Sequence, residues 1–296
     1  MPFLLLMILG RLLSALGIFP AGTDKSLNQY VIYIALPALV LQQVPKLTFS
    51  DQLLAPLLMP WLVIVVAALL VLSISHLLHW SKEITGALLL MVPLGNTGFL
   101  GLPMVEQFFG QAALPYAVVY DQLGTFLALS SYGTLILALY SSSSGTKPGL
   151  ATLLKRLMSF PPFAALLVAL LLRGVTVPAW MQNLLSMSAS SMVPVVMVAI
   201  GVQTRLLLPR DELSPFALGL LLRLVIVPLL FILGCRVFSL SSEAIKVSLF
   251  ETATPPMVTA SVLASVAGLK PQLSSALAAY GIVCAFFTLP VIYRLL

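Results

Sequence analysis

The sequence predicts an all-α polytopic membrane protein of ten transmembrane helices, arranged as two inverted five-helix repeats in which helices four and nine are broken and cross. Three observations carry this expectation. The chain is 60% hydrophobic and only 8% charged, with mean hydropathy +1.10, whereas soluble domains are about one-quarter charged. Its apolar residues fall into ten runs bounded by polar or turn residues. Two of those runs are interrupted by helix breakers at matching places.

The runs cover about 2–19, 27–44, 53–79, 84–109, 112–140, 158–173, 179–204, 213–238, 244–268 and 272–296. Most are long enough to cross a bilayer core of about 30 Å at about 1.5 Å per helical residue. The first run has no basic residue before it and carries Arg11 within it, which fits a short spanning helix with a snorkelling arginine rather than a secretory leader. After the fifth run comes Ser141-Ser-Ser-Ser-Gly-Thr-Lys-Pro-Gly149, the low-complexity piece of the chain. It divides the sequence into a first repeat (1–140), a linker (141–150) and a second repeat (151–296). Ala151 to Met158, with Lys155 and Arg156 among leucines, suits an interfacial segment.

The halves share punctuation. Pro20 and Pro178, Pro37 and Pro194, Gly110 and Gly268, and Tyr120 and Tyr280 are each separated by 157 to 160 positions, which reads as an internal repeat. Five spans per half is an odd number, so the second half enters the membrane from the opposite side. Lys25, Lys82, Lys147, Lys155, Arg156, Arg205, Arg210 and Lys270 fall in loops of one face. Lys46, Arg173, Arg236, Lys246 and Arg294 fall on the other. The basic excess places the linker in the cytoplasm and both termini on the extracytoplasmic side of a cell (inner) membrane. The net charge of +6 is spread over these loops, which speaks for orientation rather than for nucleic acid.

In the fourth run, Met91-Val-Pro-Leu-Gly-Asn-Thr-Gly-Phe-Leu-Gly-Leu-Pro103 places Pro93, Gly95, Gly98, Gly101 and Pro103 where a simple spanning helix carries leucine. Broken backbone at membrane depth is tolerated only where it is buried in protein or lines a polar cavity, so this break reads as a binding site. In the ninth run, Pro255 and Pro256 stand back to back after Glu251-Thr-Ala-Thr254. An offset of 158 sets Asn96 against Thr254, and Thr97 and Gly98 against the two prolines. Paired interruptions of this kind point to the substrate site of a secondary transporter, near the bilayer midplane.

Each break creates a helix N-terminus, after about Gly98 and after about Pro256, with free N–H donors and about half a positive charge that favours a carboxylate. The first helical halves end there as well, presenting carbonyls that suit a cation. Asn96, Thr97, Gly98, Thr254, Pro255 and Pro256 are therefore the candidate substrate residues, with Pro93, Gly95 and Pro103 shaping the crossover and Thr252 and Thr259 adding hydroxyls. Asp121 and Glu251 lie inside apolar runs, where an unpaired carboxylate costs several kcal/mol, and they are the candidates for carrying a proton or Na⁺. Glu106 reads as near an interface. Arg223, about ten residues into the eighth run, is a candidate to pair with a buried carboxylate or with a substrate anion.

No nucleophile motif, metal-ligand spacing or phosphate loop is present, so no enzyme and no self-contained ATP-driven pump is expected. Cys235 and Cys284 read as small buried hydrophobes, and His76 and His79 as interfacial. No cofactor is implied beyond a coupling Na⁺ or H⁺.

Asn28-Gln-Tyr-Val-Ile-Tyr-Ile-Ala-Leu-Pro-Ala-Leu39, Pro93-Leu-Gly-Asn-Thr-Gly-Phe-Leu-Gly-Leu-Pro103, Tyr120-Asp-Gln-Leu-Gly124 and Pro255-Pro-Met-Val-Thr-Ala260 together resemble the auxin efflux carrier family, in its bacterial branch. The resemblance covers essentially the whole chain. It implies a scaffold of spans one, two, six and seven, a transport domain of the rest, a homodimer, and substrate beside the crossover at Asn96, with elevator-type movement. It also implies small organic acids such as malonate or malate, or auxin-like acids, as substrates. The short linker departs from plant members, which sets auxin itself apart. The fold is shared with bile-acid/sodium symporters, whose glutamate-containing stretch Glu251-Thr-Ala resembles without the expected Gln-Asn sequel. The expectation is thus a secondary transporter of small organic anions. A Na⁺-coupled carrier of amphipathic anions, a non-transporting membrane ligand sensor and a channel stand as alternatives.

Overall fold

The computed structural model describes residues 2–46, 51–141, 158, 161–172, 177–203 and 212–296. Residues 142–157, with Lys147, Lys155 and Arg156, lie outside the described residues, as do Arg173, Arg205 and Arg210. Those described are helical throughout, apart from turns and one isolated antiparallel bridge between Gly95 and Pro256.

The chain divides into two compact units, one formed by Met1–Thr48 and Leu154–Thr204 and the other by Phe49–Leu153 and Arg205–Leu296. In the first unit, α1 (Pro2–Ala15) packs along α11 (Met192–Gln203). The pair approach so closely that a Cβ on Gly201 would strike the Met7 carbonyl, the small-residue packing by which membrane helices associate. A bent helix runs through α2 (Thr23–Tyr30), a π turn (Val31–Ala35) and α3 (Leu36–Gln43), and packs on α9 (Pro161–Leu171) and α10 (Ala179–Ser190). The Tyr30 hydroxyl and Ser191 Oγ share a hydrogen bond of 2.7 Å within this unit.

The second unit holds the breaks. It contains α4 (Leu54–Leu77), α5 (Lys82–Met91) and α6 (Leu102–Phe109), then α7 (Leu114–Val119) and α8 (Thr134–Tyr140), which are joined through π turns at Tyr120–Phe126 and Leu129–Gly133. Next come α12 (Leu213–Leu221), a π turn (Leu222–Ile226), α13 (Val227–Val237), α14 (Glu243–Thr252), α15 (Val258–Val266) and α16 (Pro271–Leu295).

Among the described residues, five helices are long and apolar enough to cross a membrane: Leu54–Leu77, Gln111–Tyr140, Ala179–Val202, Leu213–Val237 and Pro271–Leu295. Leu5–Ala15 and Pro161–Leu171 are shorter apolar helices. On α4, Leu54, Leu58, Leu62, Val65, Leu69 and Leu72 are all exposed and recur every three or four residues, forming one apolar stripe along the helix. Water would not favour such a stripe, whereas lipid would. The protein is a multi-pass membrane protein.

Candidate functional site

The chain stops being helical between α5 and α6, and again between α14 and α15, and both interruptions lie in the second unit. Their entries are built alike. Ser81 Oγ accepts from Ile84 N at 3.4 Å at the start of α5, and Ser242 Oγ accepts from Ile245 N at 3.3 Å at the start of α14. Each N-cap satisfies an orphan donor of the first turn. Both helices run ten residues before they break.

Prolines 93, 255 and 256 cannot donate, so the breaks need partners for what remains of their backbone. They find them in each other. Asn96 N donates to Pro255 O at 2.8 Å, and Met257 N donates to Leu94 O at 3.0 Å, enclosing the Gly95–Pro256 bridge. The two broken segments therefore cross at these residues, as a two-residue strand pair buried among helices. The register differs from the constant offset of about 158. Ser81 and Ser242, and Gly95 and Pro256, are each 161 apart, while the closing glycines Gly110 and Gly268, both at positive φ (82° and 74°), are 158 apart. The difference of three lies beyond the crossover, where one helical stretch runs from Thr97 to Phe109 and the other is the nine residues of α15.

Beyond the crossover, the fourth run resumes at Thr97 rather than after Gly98, as a π turn (Thr97–Gly101) that leads into α6. Asn96 O accepts from both Leu100 N (3.1 Å) and Gly101 N (3.0 Å). Pro103 lies seven residues into the stretch that starts at Thr97, where it cannot donate to the preceding turn, and the π turn stands directly before it. The ninth run resumes at α15, with Met257 as N-cap and no acidic residue in its first turn. Thr259 is exposed and takes no part in these bonds.

The charged groups cluster around this knot. Asp121 lies on the π turn Tyr120–Phe126, accepting from Thr97 Oγ1 at 2.6 Å and from Gln122 Nε2 at 2.7 Å. Its carboxylate rests against Gly98, where an added Cβ would come within 3.0 Å of Oδ1. Asp121 thus places an acidic side chain at the N-terminal turn of the Thr97 helix. Glu251, on the last turn of α14, is pressed against Gly101 so closely that a Cβ there would overlap its carboxylate. Glu251 is 0% exposed and Asn96 2%, yet both Glu251 oxygens, Asn96 Nδ2 and Gln122 Oε1 have no hydrogen-bond partner. Buried polar atoms are normally paired, so four unpaired ones in one cluster set this region apart.

Arg223 completes the cluster. It reaches the backbone carbonyls of Val92, Pro93 and Thr254 and the Thr254 hydroxyl. No carboxylate lies within salt-bridge distance of it among the described residues. The carbonyl ends of α5 and α14, expected to face a cation, thus face a side chain of the protein itself.

The structure therefore brings together Pro93, Gly95, Asn96, Thr97, Gly98, Asp121, Glu251, Thr254, Pro255 and Pro256. It adds Gln122 and Gly101 as site residues. Gln122 was legible only as the neighbour of a buried acid, and Gly101 only as one breaker among several. Glu106 stands apart, accepting from Gln111 Nε2 at 3.2 Å on an exposed edge. Among the described residues no cluster of three His, Cys, Asp or Glu suits a metal ion.

The family described as membrane transport protein matches residues 1–293. The chain belongs to the auxin efflux carrier family. As a member of that family it is similar to an uncharacterized transporter of Methanocaldococcus jannaschii, at 30% identity over 207 residues that span 67% of this chain and 65% of that protein. It is also similar to an uncharacterized transporter of Methanothermobacter thermautotrophicus, at 27% identity over 297 residues, 97% of this chain and 94% of that one. The auxin efflux carrier assignment and the transporter relatives point to transport rather than catalysis.

Proposed function

We propose that this membrane transporter is a secondary carrier of small organic anions, carboxylates such as malonate or malate or auxin-like acids, working by elevator-type alternating access at the crossover. The observation that carries the reading is the unpaired Asn96 Nδ2 beside two helix N-termini, of which the one at Val258 has no acid of its own in the first turn. A carboxylate held there would gain an amide donor, free backbone N–H groups and the positive end of a helix dipole. Asp121 already serves the other N-terminus, so the substrate carboxylate belongs at α15.

Asp121 and Glu251 are two buried carboxylates against one guanidinium. With both ionised the cluster is one charge negative, and taking up one H⁺ or Na⁺ would neutralise it. That is the coupling we assign to them, with the orphaned Glu251 oxygens as its seat. In the same reading the chain is two inverted five-helix repeats, divided at residues 141–150, with ten spans and both termini on the extracytoplasmic side of the cell membrane. The first compact unit is the scaffold and dimer surface, and the second is the moving transport domain.

The test is counterflow in proteoliposomes. Vesicles preloaded with unlabelled malonate or malate are expected to accumulate labelled acid transiently, with the accumulation lost in Asn96→Ala and responding to Na⁺ or to pH. Exchange of no carboxylate, or exchange indifferent to Asn96, would remove the reading.

A further inference from the structure

Arg223 stands on the π turn between α12 and α13 and is 1% exposed. Such a group in an apolar interior normally pairs with a carboxylate. Here Nε donates to Thr254 O at 2.7 Å, Nη2 to Thr254 Oγ1 at 3.1 Å, and Nη1 to Val92 O at 3.2 Å and Pro93 O at 3.3 Å. Thr254 Oγ1 donates onward to Glu251 O at 2.7 Å. Val92 and Pro93 follow the last turn of α5, and Thr254 follows α14, so one planar cation spans the carbonyl ends of both half-helices. Each such end carries about half a negative charge, and two together match one guanidinium. Gly95 completes the fit: a Cβ there would occupy the position of Nη2.

We propose that Arg223 is the resident cation of the crossover, a positioning residue that holds the carbonyl ends of both broken helices as a bound metal ion otherwise would. Those carbonyls are then closed to a coupling cation, and any exchangeable H⁺ or Na⁺ must enter on the Asp121 and Glu251 side. This inference does not depend on which substrate crosses, because it is tested without one.

The experiment is the thermal midpoint of the ligand-free protein in detergent for wild type, Arg223→Lys, Arg223→Met and Gly95→Ala. Lys and Met have similar length and differ in charge. If the site needs a cation, the order is wild type, then Lys, then Met, and failure of Met to fold where Lys folds counts as the same result. Arg223→Met equal to or above Arg223→Lys overturns the proposal, since an uncharged side chain is the easier one to bury where no cation is required. If neither variant folds, Gly95→Ala decides. It keeps the charge and pushes the guanidinium off its carbonyls, so a clear drop in midpoint supports the proposal and a wild-type midpoint overturns it.

Discussion

The two breaks start alike and finish differently. Each is entered by a ten-residue helix with a serine N-cap, and each lends the other one backbone hydrogen bond at the crossing. Past the crossing, the Thr97 helix has Asp121 at its first turn, held by Thr97 and Gln122, whereas α15 starts without an acid. Glu251 precedes the second break with both oxygens unpaired. The difference is that one helix start carries an acid held by two side chains, while the other starts without one. In the proposed function that asymmetry is a division of labour, with Asp121 part of the framework and Glu251 the seat of the exchangeable ion.

The sharpest way to break this comparison is at Gly101. Gly101→Ala forces a methyl into the Glu251 carboxylate, and overpacking of this kind costs about 1–3 kcal/mol. Transport is expected to fall by about fivefold or more, a change of about 1.4 kcal/mol being tenfold, while Val262→Ala on the exposed side of α15 leaves transport near wild type. Uptake by proteoliposomes at matched protein density checks both.

The acids sharpen it next. Asp121→Asn disturbs a carboxylate that accepts two hydrogen bonds, and with bonds to a charged group worth about 1.5–3 kcal/mol each it should lower the thermal midpoint clearly. Glu251→Gln gives up no hydrogen bond and removes a buried carboxylate that has no partner to offset its cost. It is expected to be at least as stable as wild type, with its dependence on Na⁺ or pH abolished. Equal destabilisation by the two substitutions would erase the distinction between them.

The smallest effects test the sameness of the entries. Ser81→Ala and Ser242→Ala should each cost about 1 kcal/mol, the usual loss of a serine cap, and thermal unfolding should show the two within error of one another.

Much of this arrangement is legible in the sequence because it rests on residues with unusual backbone rules. Pro93, Gly95, Pro255 and Pro256 announce the breaks, and Asp121 and Glu251 stand out because a carboxylate in an apolar run is costly. Arg223 stood out on the same ground, but its partners did not. Three of its four bonds go to main-chain carbonyls, which every residue has, and the fourth to the neutral Thr254 hydroxyl, so no charge pattern foretells them. The register was misread by three positions at the crossing for a related reason. The Gly95–Pro256 pairing is set by backbone bonds, which no residue type announces, and the two helical stretches beyond it differ in length. The link from Thr97 to Asp121 joins positions 24 apart on separate helical segments, a contact that only packing creates.

The most direct test of the central claim is ligand-induced thermal stabilisation of the purified protein against a panel of mono- and dicarboxylates, with and without Na⁺ and across pH, in wild type and Asn96→Ala. Occupancy of a site raises the midpoint whatever the direction of transport. The account expects a carboxylate-specific rise that disappears in Asn96→Ala and that Glu251→Gln uncouples from Na⁺ or pH. A rise of equal size in Asn96→Ala, or none with any acid, would contradict a carboxylate site at the crossover.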